Sequence, residues 1–322
     1  MKAPFPWFGG KSRAASQVWE RFGDVPNYVE PFFGSGAVLL GRPTDPGIET
    51  VNDLDCMVAN FWRALQHDPD AVDDAADWPV NEADQHARHL WLCSQEEFRE
   101  RMKTDAEFYD AKIAGWWVWG QCIWIGSGWC SAQLPHLGDA GTGINRQLPH
   151  LGDAGKGINR QLPHLGNAGR GVNRDASGTR EFLFAYMNEL AARLRRVRVC
   201  CGDWSRVCSP AVTFGHGSTG VFLDPPYADG YMQYAAGGCG ETVAQDVRKW
   251  AEDNGDNPSL RIALCGKEGE HRMPKSWECM PWKARKGYGS QENSNLERIW
   301  FSPHCLKPSQ QLFSLFEREA TA

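Results

Sequence analysis

Val221-Phe222-Leu223-Asp224-Pro225-Pro226-Tyr227 joins a short apolar run to an acid, two prolines and an aromatic ring. The apolar run predicts a buried strand, and the tetrapeptide after it predicts that strand's C-terminal edge, where ligands bind in open α/β sheets. Proline fixes φ and has no N–H, which leaves the carbonyls of Asp224 and Pro225 ready to accept hydrogen bonds. A planar amino group lying against Tyr227, its two hydrogens held by the Asp224 carboxylate and the Pro225 carbonyl, would have its lone pair forced out of conjugation and pointed at an electrophile. Asp-Pro-Pro also occurs in plain turns, so the rest of the chain has to decide between the two readings.

Two segments nearer the N-terminus support the sheet. Tyr28-Val29-Glu30-Pro31-Phe32-Phe33-Gly34-Ser35-Gly36 reads as a strand, a glycine-containing turn and the apolar start of a helix, Ala37 to Leu40. Glycines there allow the backbone to approach a ligand closely, and Glu30 could pair with a cationic or amino-bearing one. Thr50-Val51-Asn52-Asp53 is a second strand ending in an acid, the position from which a carboxylate grips ribose hydroxyls in nucleotide-type sites. Before both, Ala14, Val18 and Phe22 recur at four-residue spacing and predict an N-terminal helix packed on the sheet.

With these segments in view, the chain resembles a Dam-like (D12 class) DNA adenine-N6 methyltransferase that uses S-adenosylmethionine, of the kind common in phages and prophages. Trp7-Phe8-Gly9-Gly10-Lys11 resembles the family's N-terminal cofactor motif, Glu30 to Gly36 its glycine motif, and Asn52-Asp53 its ribose-binding acid. Cys201-Gly202-Asp203-Trp204 resembles the segment whose acid contacts the cofactor's adenine, and Asp224 to Tyr227 the catalytic motif. Gly287-Tyr288-Gly289, Glu297-Arg298-Ile299-Trp300 and Ser302-Pro303 extend the likeness towards the C-terminus, while the stretch from Asp68 to Arg195 shares less.

The resemblance implies Trp7, Lys11, Glu30, Phe32, Gly34, Gly36, Asp53 and Asp203 as cofactor-binding residues, and Asp224, Pro225, Pro226 and Tyr227 as catalytic ones. Lys11 keeps three readings open: contact with the cofactor, contact with a flipped-out base, or electrostatic capping of the site. No metal is implied, because a sulfonium methyl donor is already activated. A cytosine-N4 methyltransferase uses the same amino-group chemistry but more often has Ser at the first motif position. An enzyme acting on RNA or on a protein glutamine commonly has Asn there. A catalytically silent DNA-binding protein of the same fold is a further alternative, disfavoured by intact acids at 30, 53, 203 and 224.

The expected architecture is α/β: a doubly wound, Rossmann-like methyltransferase sheet built from residues 1–62 and 195–322, with a mostly helical target-recognition insertion, 63–194. Strands are expected at Tyr28–Glu30, Thr50–Asp53, Val197–Cys201, Gly220–Asp224, Arg261–Cys265 and Arg298–Ser302. The chain's 322 residues and 42% hydrophobic content suffice for one large core and a smaller domain. No run approaches the roughly 20 apolar residues of a membrane span, and no signal peptide precedes Trp7. The eleven cysteines include no CxxC pair. The expectation is therefore a monomer or weak dimer in the cytoplasm, with reduced thiols, no membrane and double-stranded DNA as partner.

A net charge of −6 argues against a nucleic-acid partner until its distribution is considered. Asp68 to Asp110 holds thirteen acids against four Lys and Arg, whereas Gln133 to Arg180 holds six Lys and Arg against three acids. The acidic stretch is expected to face solvent or other protein, and the basic one DNA. Within the basic stretch, 133–174 consists of three tandem 14-residue copies of QLPHLGxAGxGxNR. Each copy has three glycines and a proline, poor material for helix or central strand. A surface loop lengthened by duplication is the favoured reading; the alternative is an arm presenting Arg146, Arg160, Arg170 and Arg174 to phosphates. Just before it, 115–129 contains five tryptophans, an aromatic density expected mainly of a core.

Overall fold

In the computed structural model, residues 1–7, 10–124, 129–130, 180–226, 240–282 and 296–307 are described. They divide into two compact units: a sheet unit of residues 1–2, 8–54 and 196–322, and a helical unit of residues 3–7 and 55–195.

The sheet unit contains β1 (Asn27–Glu30), β2 (Ile48–Asp53), β3 (Val197–Cys201), β4 (Thr219–Leu223), β5 (Leu260–Lys267), β6 (Glu278–Pro281) and β7 (Glu297–Phe301). They form one sheet in the order β3-β2-β1-β4-β5-β7-β6. The first five strands are mutually parallel, and β7 runs antiparallel to both β5 and β6. The strand order turns back between β1 and β4, so the C-terminal ends of β1, β2 and β4 border the switch point at which doubly wound sheets bind ligands. Every residue of β1 and β4 is buried, as expected of central parallel strands covered on both faces.

All six expected strands are present, most of them shifted or extended by a residue or two. β6 was not expected; it is a mostly exposed edge strand of four residues without the apolar alternation that marks a covered one. Val29, Val221, Leu223, Ile262 and Leu264 pack with Val247 and Ala251 of α10 (Gly240–Asn254). The predicted N-terminal helix is α1 (Ala15–Phe22), whose Val18 and Phe22 are fully buried. Gly220 of β4 lies against Phe22, and a Cβ there would come 2.8 Å from its ring. α2 (Ala37–Leu40) follows the glycine turn, and α9 (Pro210–Thr213) precedes β4.

The helical unit contains α3 (Cys56–His67), α4 (Pro69–Ala76), α5 (Glu82–Cys93), α6 (Glu96–Thr104), α7 (Ala111–Ile123) and α8 (Arg180–Leu194). Part of the acidic stretch caps helices. Asp68 accepts from Ala71 N at the start of α4 and Asp110 from Ile113 N at the start of α7, each offsetting the unpaired amides of a first turn. Asn60 ties α3 to that second cap by donating to the Asp110 carbonyl and accepting from its amide, both at 2.8 Å. Trp117, Trp119, Trp124 and Trp129 are buried and Trp116 is half-buried, consistent with the core reading of the tryptophan-rich stretch. Trp117 meets Phe5 at 5.0 Å between ring centroids and Phe61 at 6.0 Å. The compact boundary falls after Leu54, and α3 packs with α7 and α8 in the helical unit.

Candidate active site

Asp224 follows the last residue of β4, and the glycine turn follows the last residue of β1, so the parallel register brings both to one edge of the sheet. Pro225 is buried and Pro226 half-buried. Tyr227 lies outside the described residues, as do Arg146, Arg160, Arg170, Arg174, the repeat 133–174 and Gly287-Tyr288-Gly289.

Lys11, in a short 3-10 turn, places Nζ 2.8 Å from Asp224 Oδ2. Only 6% of the lysine side chain and 19% of the aspartate side chain are exposed. Burial alone would lower the lysine pKa, but Asp224, with Cys265 and Glu297 nearby, carries it upward and keeps the ammonium charged. Burial raises the carboxyl pKa of Asp224, while Lys11 and its hydrogen bond pull against that rise. The ammonium also lies 5.1 Å from the ring centroid of Trp282, which follows β6. The structure pairs Lys11 with the Asp224 carboxylate, a contact compatible with all three readings of the lysine.

Glu30 lies behind this pair. Its carboxyl is buried, accepts from Tyr28 Oη at 2.8 Å, and is raised well above the usual carboxylate range, chiefly by burial and further by Asp224. Tyr28 and Glu30 share a strand face by simple alternation, so this contact was available to a reading of the sequence that missed it.

The glycine turn is built around the end of β2. Gly34 donates its amide to Asp53 Oδ2 at 2.9 Å, and Phe33 donates to the Asn52 carbonyl at 2.9 Å. Gly34 and Gly36 have φ of 48° and 67°, the left-handed region that side chains disfavour. Asn52 donates through Nδ2 to the carbonyls of Pro31 and Gly202, while its buried Oδ1 has no partner among the described residues. At the end of β3, Asp203 accepts from the Ser205 amide at 2.9 Å and is exposed. Phe32 stacks on Trp204 with centroids 6.2 Å apart.

The sheet unit therefore gathers Lys11, Glu30, Phe32, Gly34, Gly36, Asp53, Asp203 and Asp224 at the ends of β1 to β4. Trp7 belongs instead to the helical unit, where its ring packs against Phe5 and Trp117. Trp204 and Trp282 were not singled out as site residues; Trp204 was quoted only as the neighbour of Asp203, and Trp282 is an isolated tryptophan with no pattern around it.

Among the described residues, no three His, Cys, Asp or Glu side chains gather as a metal would require, and no helix is long and apolar enough to cross a membrane. No curated protein matches the chain. Its N-terminal third does match a family model, in a stretch carrying Lys11, Glu30, Gly34, Gly36 and Asp53. Residues 7–113 match the family model of the D12 class N6 adenine-specific DNA methyltransferases.

Proposed function

We propose that this protein transfers a methyl group from S-adenosylmethionine to N6 of an adenine in double-stranded DNA. The observation that carries the reading is the sheltered carboxylate of Asp224, held by Lys11 through one oxygen at the switch point of the sheet. The surrounding residues fit the cofactor. The unpartnered Oδ1 of Asn52, the two left-handed glycines, the acids Asp53 and Asp203 and the Phe32–Trp204 stack combine acceptors, a close-approach turn and an aromatic wall suited to an adenosine with a charged tail. When bound, S-adenosylmethionine supplies a methyl group already activated on a sulfonium.

The chain's own part is to select and orient the amino group. A target adenine has to leave the duplex, at a cost of a few kcal/mol, before N6 can reach the site. Asp224 Oδ1 and the Pro225 carbonyl then accept the two N6 hydrogens, so the nitrogen lone pair leaves conjugation with the ring. Tyr227 is assigned the stacking face. Asp224 need not act as a strong base, since the N6 proton is lost only after the nitrogen has become cationic. Most of the acceleration comes from orientation and exclusion of water.

The helical unit, with Arg146, Arg160, Arg170 and Arg174 in the adjoining repeat, is assigned to contact with DNA. The ten cysteines among the described residues are free thiols, most of them buried, which suits a reducing cytoplasm. Sequencing DNA from cells expressing the protein, with detection of modified bases, tests the proposal. N6-methyladenine at a defined site is the expected result; N4-methylcytosine, or no modification, overturns it.

A further inference from the structure

The hairpin of β6 and β7 brings a residue to the active site that the catalytic motif does not include. Trp282 follows β6 directly and is held by its backbone amide, which donates to the Glu297 carbonyl at 3.2 Å. The residue is 4% exposed. Lys11 Nζ lies 5.1 Å from its ring centroid and 2.8 Å from Asp224 Oδ2, so the ammonium sits between the indole and the carboxylate. The indole Nε1 is buried and has no hydrogen-bond partner among the described residues. Buried donors are nearly always satisfied, and those left over call for an explanation. An indole N–H can only donate, so whatever completes it has to be an acceptor.

The neighbourhood restricts that acceptor. Asp224 is assigned to Lys11 through one oxygen and to the target's amino group through the other, Glu30 is turned to Tyr28, and the residues assigned to the cofactor, Gly34, Asp53 and Asp203, belong to the glycine turn and the ends of β2 and β3. Trp282 instead adjoins the pair assigned to the amino group of the target. We infer that Trp282 is a further substrate-binding residue, whose indole N–H donates to a ring nitrogen of the base held at Asp224. This rests on the proposed function. A base presenting both an amino group to Asp224 and an acceptor to Trp282 is thereby read at two points, one by acceptors and one by a donor. The ring itself also holds Lys11 by a cation–π contact, so the two roles have to be separated experimentally.

Trp282→Phe retains an aromatic face for Lys11 and deletes only the donor; Trp282→Leu deletes both. Each is compared with the parent on duplex DNA carrying the target adenine or its 1-deaza, 3-deaza or 7-deaza analogue, alongside S-adenosylmethionine affinity. The expected result is that kcat/KM falls about tenfold in Trp282→Phe, the scale of one hydrogen bond, with cofactor affinity unchanged. One of the three analogues should cost the parent a similar factor and cost Trp282→Phe nothing further. If the parent tolerates all three analogues, the inference fails even should the variants not fold. It also fails if the analogue penalty persists in Trp282→Phe, or if that variant loses cofactor affinity instead. A parent that does not methylate adenine at all overturns the underlying function as well, a result distinct from an active parent without coupling.

Discussion

Lys11 and Arg63 are both buried cations, one in each compact unit, and they are satisfied in different ways. Arg63 Nη1 donates to the carbonyls of Met102, Asp105 and Phe108 at 3.3–3.5 Å. Backbone carbonyls neither titrate nor leave, so that contact clamps the chain after α6 onto α3. Lys11 faces a carboxylate at a strand end and a tryptophan ring, partners that a ligand can share or displace. Buried carboxyls differ in the same sense. Burial raises both Asp224 and Asp73, but Asp224 has Lys11 beside it, whereas Asp73 is flanked by Asp70, Asp74 and Asp77 with only Arg180 to offset them. The lesson is that burial of charge alone does not mark a function; a replaceable partner at a ligand-binding edge does.

The largest expected effect separates the two kinds of partner. Asp224→Ala should lower methyl transfer by about a thousandfold or more, within the range attributed to orientation, while S-adenosylmethionine binding stays within a few-fold of the parent. It also takes the carboxylate partner from a buried ammonium, which costs about 3–5 kcal/mol of stability. Adding Lys11→Met should restore much of that stability and none of the activity. Denaturation of the single and double variants beside a methylation assay checks both halves, and stability that does not recover would mean that Lys11 has another strong partner.

Arg63→Ala is the matching experiment in the helical unit. Stripping a charge-assisted donor from one buried and two part-buried carbonyl contacts should cost about 3 kcal/mol with cofactor affinity untouched. A selective loss of affinity would place Arg63 in the functional class and undo the contrast.

Asp53→Ala tests the acid at the glycine turn. It removes the acceptor of the Gly34 amide and the group assigned to the ribose, together worth about 1.5–3 kcal/mol, so cofactor binding should weaken roughly ten- to a hundredfold. Isothermal titration with S-adenosylmethionine measures it, and unchanged affinity would remove Asp53 from the site.

Asp73→Asn should have a smaller effect, of opposite sign. The Asp73 pKa is raised from its ordinary value to about 6, first by burial and then by Asp77 and Asp74. A carboxyl raised on folding adds its stability below the unfolded pKa and loses it as pH rises through the folded one, here between about 4 and about 6. The amide therefore stabilises the protein at pH 7 by about 1 kcal/mol, after allowance for solvent screening, and by nothing below pH 4. Thermal unfolding at the two pH values decides, and an equal gain at both would mean that charge is not the cause.

Deleting residues 147–160, one copy of the repeat, is expected to change least. The junction restores the same local sequence, and the net loss is one positive charge, so the target site should remain and DNA affinity should show only a slightly shallower salt dependence. A changed target sequence would show that the repeat reads DNA.

Much of the sheet was legible because strand formation depends on neighbouring residues. Val221-Phe222-Leu223 is apolar enough to be buried on both faces, and Asp224-Pro225-Pro226 ends it for reasons internal to those residues. The glycine turn and Asp53 were legible for the same reason, since positive φ and an acid at a strand end are local requirements. β6 was not, because an exposed edge strand needs no apolar pattern. Only the tertiary structure decided that Lys11 would meet Asp224, that Trp282 would bring an unsatisfied donor beside them, that Trp7 would pack with Phe5 and Trp117, and that α3 would join the helical unit. Each of these depends on which surfaces are brought together when distant segments share one core, and short-range sequence pattern does not encode that pairing.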